Sequence, residues 1–117
     1  MSYDVHIVDR ISGEQLHFDG THDYKGGTYA VGGTTKAWIN VTYNYGKLYA
    51  EIWGHGLYGF DDMNVVDVIP KLMEGIVILG TTKSEDYWEA TKGNAGAALA
   101  GIVAIACHFP EGKLRIT

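Results

Sequence analysis

From Ala37 to Tyr45 the chain alternates: Ala-Trp-Ile-Asn-Val-Thr-Tyr-Asn-Tyr. Side chains on a strand repeat every two residues, so Ile39, Val41, Tyr43 and Tyr45 share one face and Trp38, Asn40, Thr42 and Asn44 the other. β-Branched and aromatic residues suit a pleated surface. The pattern predicts a central antiparallel strand with Ile39, Val41, Tyr43 and Tyr45 on the core. Its second face reads either as solvated sheet or as the wall of a small-molecule pocket, where flat apolar surface meets a few neutral polar groups.

Tyr3 to Asp9 alternates in the same way, and Ser12-Gly13 is a turn signal before Glu14 to Phe18. That pairing predicts a first hairpin. Gly26-Gly27 precedes Thr28 to Val31, read as a third strand, and Gly32-Gly33-Thr34-Thr35 connects it to the central one. The N-terminal half thus reads as a four-stranded meander.

After Tyr45 the period lengthens. Leu48, Tyr49, Ile52 and Trp53 have helical spacing, although a strand continuing past Gly46 fits nearly as well. Gly54, Gly56 and Gly59 force a loop. A second helix is predicted over Asn64 to Leu79, with Val65, Val68, Ile69, Leu72, Ile76 and Leu79 as one stripe and Gly80 as its stop. Pro70 should kink it. A third helix is predicted over Asn94 to Cys107, capped by Asn94. This last helix is apolar all round, and such a helix is either buried or faces another chain. In a short chain burial on every side is hard to arrange, so the expectation is a homo-oligomer, a dimer or larger, packed through this helix. Gly96, Ala100, Gly101 and Ala104 would let a twin helix approach. Lys113 to Thr117 alternates and reads as a short strand or an ordered tail.

These elements predict an α+β fold in a single domain over 1–117: an antiparallel sheet of about four strands in the N-terminal half and two main helices in the C-terminal half. The length of 117 residues and a hydrophobic fraction of 46% suit one such domain. The net charge of -5 argues against a duplex nucleic acid partner, since that binding depends on neutralising phosphates. Cys107 is the only cysteine, which excludes an internal disulfide and a multi-thiolate zinc site. No signal pattern or membrane-length apolar run is present, so a cytoplasmic protein without a membrane partner is expected.

His6, His17, His22 and Asp23 bear metal-ligand atoms, but their spacing matches no zinc signature, so no metal is assigned. Cys107 in an apolar helix favours an inert thiol. Asp61-Asp62 and Glu85-Asp86 read as solvated or capping pairs. No catalytic residue and no cofactor is assigned, and the chain is read as a non-enzyme. Gly26-Gly27, Gly32-Gly33 and the segment Lys92-Gly93-Asn94 expose backbone N–H groups that suit an anion. Aromatic residues stand beside them: Tyr24 and Tyr29 near the first, Tyr87 and Trp88 near the last. Stacking planes with N–H donors fit a nucleotide. Arg10, Lys25, Lys92, Lys113 and Arg115 are the candidate cations.

Gly26-Gly27-Thr28-Tyr29, Ala37 to Tyr45, Leu57-Tyr58-Gly59, Asp86 to Thr91 and Gly93-Asn94-Ala95 occur in this order. The set resembles a widespread group of small phage and prophage proteins, over roughly Tyr3 to Gly112. It looks like the first type of Thoeris anti-defence protein. That resemblance implies a viral protein in the host cytoplasm that sequesters a cyclic ADP-ribose-type immune signal without degrading it. It implies ligand pockets at a subunit interface, with Tyr87, Trp88 and Asn94 lining the pocket and Arg115, or second to it Lys113, meeting phosphate; Tyr29, beside Gly26-Gly27, is a further candidate ligand contact. Where the group carries basic residues after Gly-Asn-Ala, this chain has Gly96, Ala97 and Ala98. The alternative reading is a phage protein that inhibits a host defence or CRISPR nuclease by protein–protein contact.

Overall fold

The computed structural model describes residues 2–24 and 31–117. The third strand expected over Thr28 to Val31 lies almost wholly outside the described residues, and Val31 itself sits in a turn. The described chain is α+β. Five strands form two antiparallel sheets: β1 (Ser2–Asp9), β2 (His17–His22), β3 (Thr34–Lys36), β4 (Trp38–Thr42) and β5 (Gly112–Ile116). Three α-helices follow the order α1 (Gly46–Trp53), α2 (Val65–Leu79) and α3 (Lys92–Ala106).

The main sheet has the order β4-β1-β5. Ser2 to His6 pairs with Thr42 to Trp38, and Val5 to Asp9 pairs with Ile116 to Gly112. The centre of the sheet is therefore β1, and the Ala37–Tyr45 stretch supplies an edge strand. The meander is corrected for the same reason. β4 takes most of one side of β1, leaving only its end for the returning chain. There Leu16 N donates to Ile7 O and a single bridge joins Val8 to Gln15. β2 then departs to pair with β3. On the other side the C-terminal residues become a full strand, whose alternation buries Leu114 and Ile116.

β4 ends earlier than the alternation implies. Tyr43–Tyr45 is a 3-10 turn, entered through Thr42, whose hydroxyl accepts from Asn44 N. The turn delivers Tyr45 into the core and starts α1, which Gly54 ends in the left-handed region at φ 78°. The polar face of β4 is not solvated. Asn40 and Thr42 are buried; Asn40 Nδ2 donates to Ser2 Oγ at 2.7 Å, and Trp38 Nε1 donates to Asp4 Oδ1 at 3.0 Å.

α2 runs through Pro70 as one helix. Pro70 stands on the exposed face, and its ring nitrogen has no hydrogen to donate to the Val66 carbonyl. α3 begins two residues before Asn94: its cap is Thr91, whose Oγ1 accepts from Asn94 N at 3.1 Å. The expectation that α3 needs a second subunit for cover is also corrected. α2, α1 and β4 of its own chain pack on it. Leu99, Ile102 and Ile105 are fully buried, and apart from Lys92 every residue of the helix is at least half-buried. Burial of such side chains is worth roughly 1.5–3 kcal/mol each. Two glycines allow the fit. A Cβ at Gly75 would stand 2.7 Å from the Trp53 ring, and one at Gly96 would stand 1.7 Å from the Gly80 carbonyl oxygen.

The apolar surface left over is on α2. Val66, Met73 and Val77 recur at helical spacing, with Ile78 beside them, and Val77 is 81% exposed. Among the described residues no helix is long and apolar enough to cross a membrane.

Candidate ligand groove

Asn94 organises the site. Its side chain turns back from the first turn of α3 onto the preceding loop. Nδ2 donates to Ser84 Oγ, Asp86 O and Glu89 O, each at 2.9 Å, and Oδ1 accepts from Ser84 N at 2.9 Å. A primary amide offers two donor hydrogens and two acceptor lone pairs, so three donations from one nitrogen leave none spare. Asn94 is 5% exposed. Its polar atoms are committed to the loop.

That loop is pinned at two more points. Asn44 Nδ2 donates to Trp88 O at 2.9 Å, and the Tyr45 hydroxyl donates to Tyr87 O. The Tyr87 hydroxyl in turn accepts from Thr42 N at 3.2 Å at the outer edge of β4. Burial, reinforced by the Tyr87 and Asp86 charges, pushes the Tyr45 hydroxyl well above its ordinary pKa. Burial does the same to Tyr49, whose hydroxyl donates to Ala95 O at 2.8 Å. Both phenols stay neutral donors at any physiological pH.

A groove of about 720 Å³ opens between α3, β4 and this loop. Its floor is one face of α3, made of Ala97, Ala100, Gly101 and Ala104. Its walls are Ile39, Tyr87 and Tyr24, and the Tyr45 side chain that also borders it has no accessible surface. Thr81, Lys83 and Glu85 stand at the rim. Ala100, Gly101 and Ala104, which seemed suited to a twin helix, thus leave room inside the chain's own fold, while Gly96 packs on the Gly80 carbonyl. Thr81, Lys83 and Glu85 fall at alternate positions of an irregular, exposed run, while Ser84 between them turns to Asn94.

Of the sequence-derived site residues, Tyr87 and Asn94 meet at this groove. Trp88 packs edge-on against Tyr87, ring centres 5.0 Å apart, but stands outside the lining and is half exposed. Arg115 and Lys113 are on β5, also outside it. Lys113 Nζ lies 2.6 Å from Asp62 Oδ1. Tyr29 and Lys25 are outside the described residues. Ile39 and Tyr45 lie in the core as the alternation predicts, and both also border the groove. Sequence reasoning missed Lys83 and Glu85, whose alternation within a polar connector was the available signal.

The histidines do not converge. His6 Nδ1 bonds Gln15 Oε1, His17 Nδ1 bonds Thr35 Oγ1, and His22 Nε2 donates to the Lys36 carbonyl. Among the described residues no three His, Cys, Asp or Glu side chains are grouped to hold a metal. Cys107 is exposed just beyond α3, with its Sγ on Ala104 O.

Set against known proteins, the chain matches no family model, no curated protein and no solved structure.

Proposed function

We propose that this protein is a non-enzymatic binder that sequesters a small nucleotide-type molecule in the groove between α3 and β4. The single observation carrying the reading is the groove itself: a flat alanine floor between tyrosine walls, large enough for a nucleoside. Aromatic walls hold bases by stacking, worth roughly 1–3 kcal/mol per base. The motif resemblance supplies the biological setting: a phage protein that removes a cyclic ADP-ribose-type signal from Thoeris immunity in the host cytoplasm. The assembly proposed is a homo-oligomer, and the exposed apolar stripe Val66, Met73 and Val77 of α2 is the surface that favours it.

Native mass spectrometry of the purified protein tests the binder. Retention of an added nucleotide, returned unchanged on heating, supports sequestration; conversion of that nucleotide with turnover overturns it. Ala97→Phe fills the groove floor and should abolish retention while the fold persists. Retention by Ala97→Phe equal to that of the original chain would move the site elsewhere. The same stripe of α2 is what favours the second reading, an inhibitor of a host nuclease. That reading requires a stable complex with the nuclease that Val77→Asp breaks and Ala97→Phe leaves intact.

A further inference from the structure

The walls of the groove suit a ring, but its charges do not suit phosphate. Among the described lining residues Lys83 is the one cation, and Glu85 stands two positions away on the same rim. Asp86 and Glu89 follow on the same exposed loop. Lys113 and Arg115 lie on β5, outside the lining, and Lys113 is already held by Asp62. The whole chain carries -5.

The start of α3, the ordinary place for an anion, is closed by the chain's own carbonyls. A Cβ at Gly93 would fall 1.8 Å from Thr82 O, and one at Gly96 would fall 1.7 Å from Gly80 O. An anion brought to that helix end would face these oxygens, and the Asn94 amide has no donor left for it.

We infer that the groove accepts its ligand through an uncharged planar ring system, a nucleobase with its sugar, and that a pyrophosphate on the same ligand weakens binding. The inference rests on the groove being a nucleotide-type site; it makes the base and sugar the held part of such a ligand, so that the pyrophosphate of a cyclic ADP-ribose-type signal would count against its affinity here. Tyr24 and Tyr87 supply the apolar ring surface. The carboxylates at the rim repel added negative charge, each charge pair at about 8 Å in water being worth roughly a factor of two. Two phosphates beside Glu85 make about two such pairs, roughly fourfold in affinity at low salt, of which Lys83 on the same rim offsets a part and salt screens the rest.

The experiment is a calorimetric titration of the purified full chain with adenosine, guanosine, cytidine and uridine, and with the 5′-diphosphate of each. The expected result is one or more nucleosides binding, each tighter than its diphosphate, with the gap narrowing as salt rises. Glu85→Lys, which puts a cation where the rim has a carboxylate, should strengthen the diphosphate relative to its nucleoside and narrow or reverse the gap between them. A diphosphate that binds tighter than its nucleoside, with affinity that falls as salt rises, overturns this inference and leaves the groove reading standing. If no nucleoside and no diphosphate binds, both fall together.

Discussion

Asn94 grips Ser84 twice: its Oδ1 accepts from the Ser84 backbone N–H and its Nδ2 donates to the Ser84 hydroxyl, both at 2.9 Å. One amide thus fixes where an otherwise irregular loop leaves α2 and returns to α3, and with it the position of Tyr87 and the groove rim. Asn94→Ala should destabilise the protein by about 2 kcal/mol, because water can reach part of the exposed loop and replace some of the lost bonds. Asn94→Asp should be worse, since it sets a carboxylate against three oxygen acceptors. Urea midpoints measure both. An Asp variant as stable as the original chain would overturn this account of the amide.

Gly96 and Gly101 sit on the same helix but have opposite tolerances. A methyl at Gly96 would meet the Gly80 carbonyl, which belongs to backbone and cannot swing away. Gly96→Ala should cost about 3 kcal/mol or more. A methyl at Gly101 would meet only Ile39 Cδ1, the far end of a flexible side chain. The helix propensity gained there is about 1 kcal/mol, so Gly101→Ala should stay within about 1 kcal/mol of the original chain. Paired thermal melts distinguish the two.

Asp62 contributes stability at neutral pH that acid removes. The Lys113 ammonium, first by hydrogen bond and then by charge, holds its carboxyl below the ordinary value. Asp9 is lowered too, by the N–H groups of Ser12 and Ile11. A carboxyl whose pKa is lower folded than unfolded contributes stability that is complete above the unfolded value, about 3.9, and vanishes as pH falls through the folded one. Unfolding midpoints from pH 7 to pH 2 should therefore fall less steeply for Asp62→Asn than for the original chain. Asn suits that position, because Asp62 has φ 69° and Asn tolerates the left-handed region. Parallel curves would mean the ion pair contributes nothing.

The oligomer prediction belongs to α2. Light scattering at micromolar concentration should give a multiple of 12.8 kDa. Val77→Asp should return the mass to that of one chain with an unchanged melting point, since Val77 is 81% exposed in the isolated chain. A single-chain mass for the original protein would sink the proposal.

Local pattern carried far in this protein. The spacing of Val65, Val68 and Leu72 marked a buried helix face, and Gly80 marked its end. The alternation of Leu114 and Ile116 marked inward positions, because a strand exposes every second side chain wherever it lies. What local pattern lacks is a partner list. Nothing between Lys113 and Thr117 says that this stretch runs beside β1, displacing Ala37–Tyr45 from the centre to an edge. Strand order is decided by distant contacts, here between residues a hundred positions apart.

The sequence alone determined which segments turn, which coil and which faces are oily, since those depend on neighbours within a few residues. Tertiary structure decided what covers each face. It gave uncharged α3 its cover from α2, α1 and β4, and left the apolar surplus on α2 instead. It turned Asn94 from a helix cap into a loop clamp, because its amide finds its four partners only when the 84–89 loop folds over the start of α3. It also converted a row of alanines into the floor of a groove, because small side chains keep a space open only where other elements stand on both sides of it.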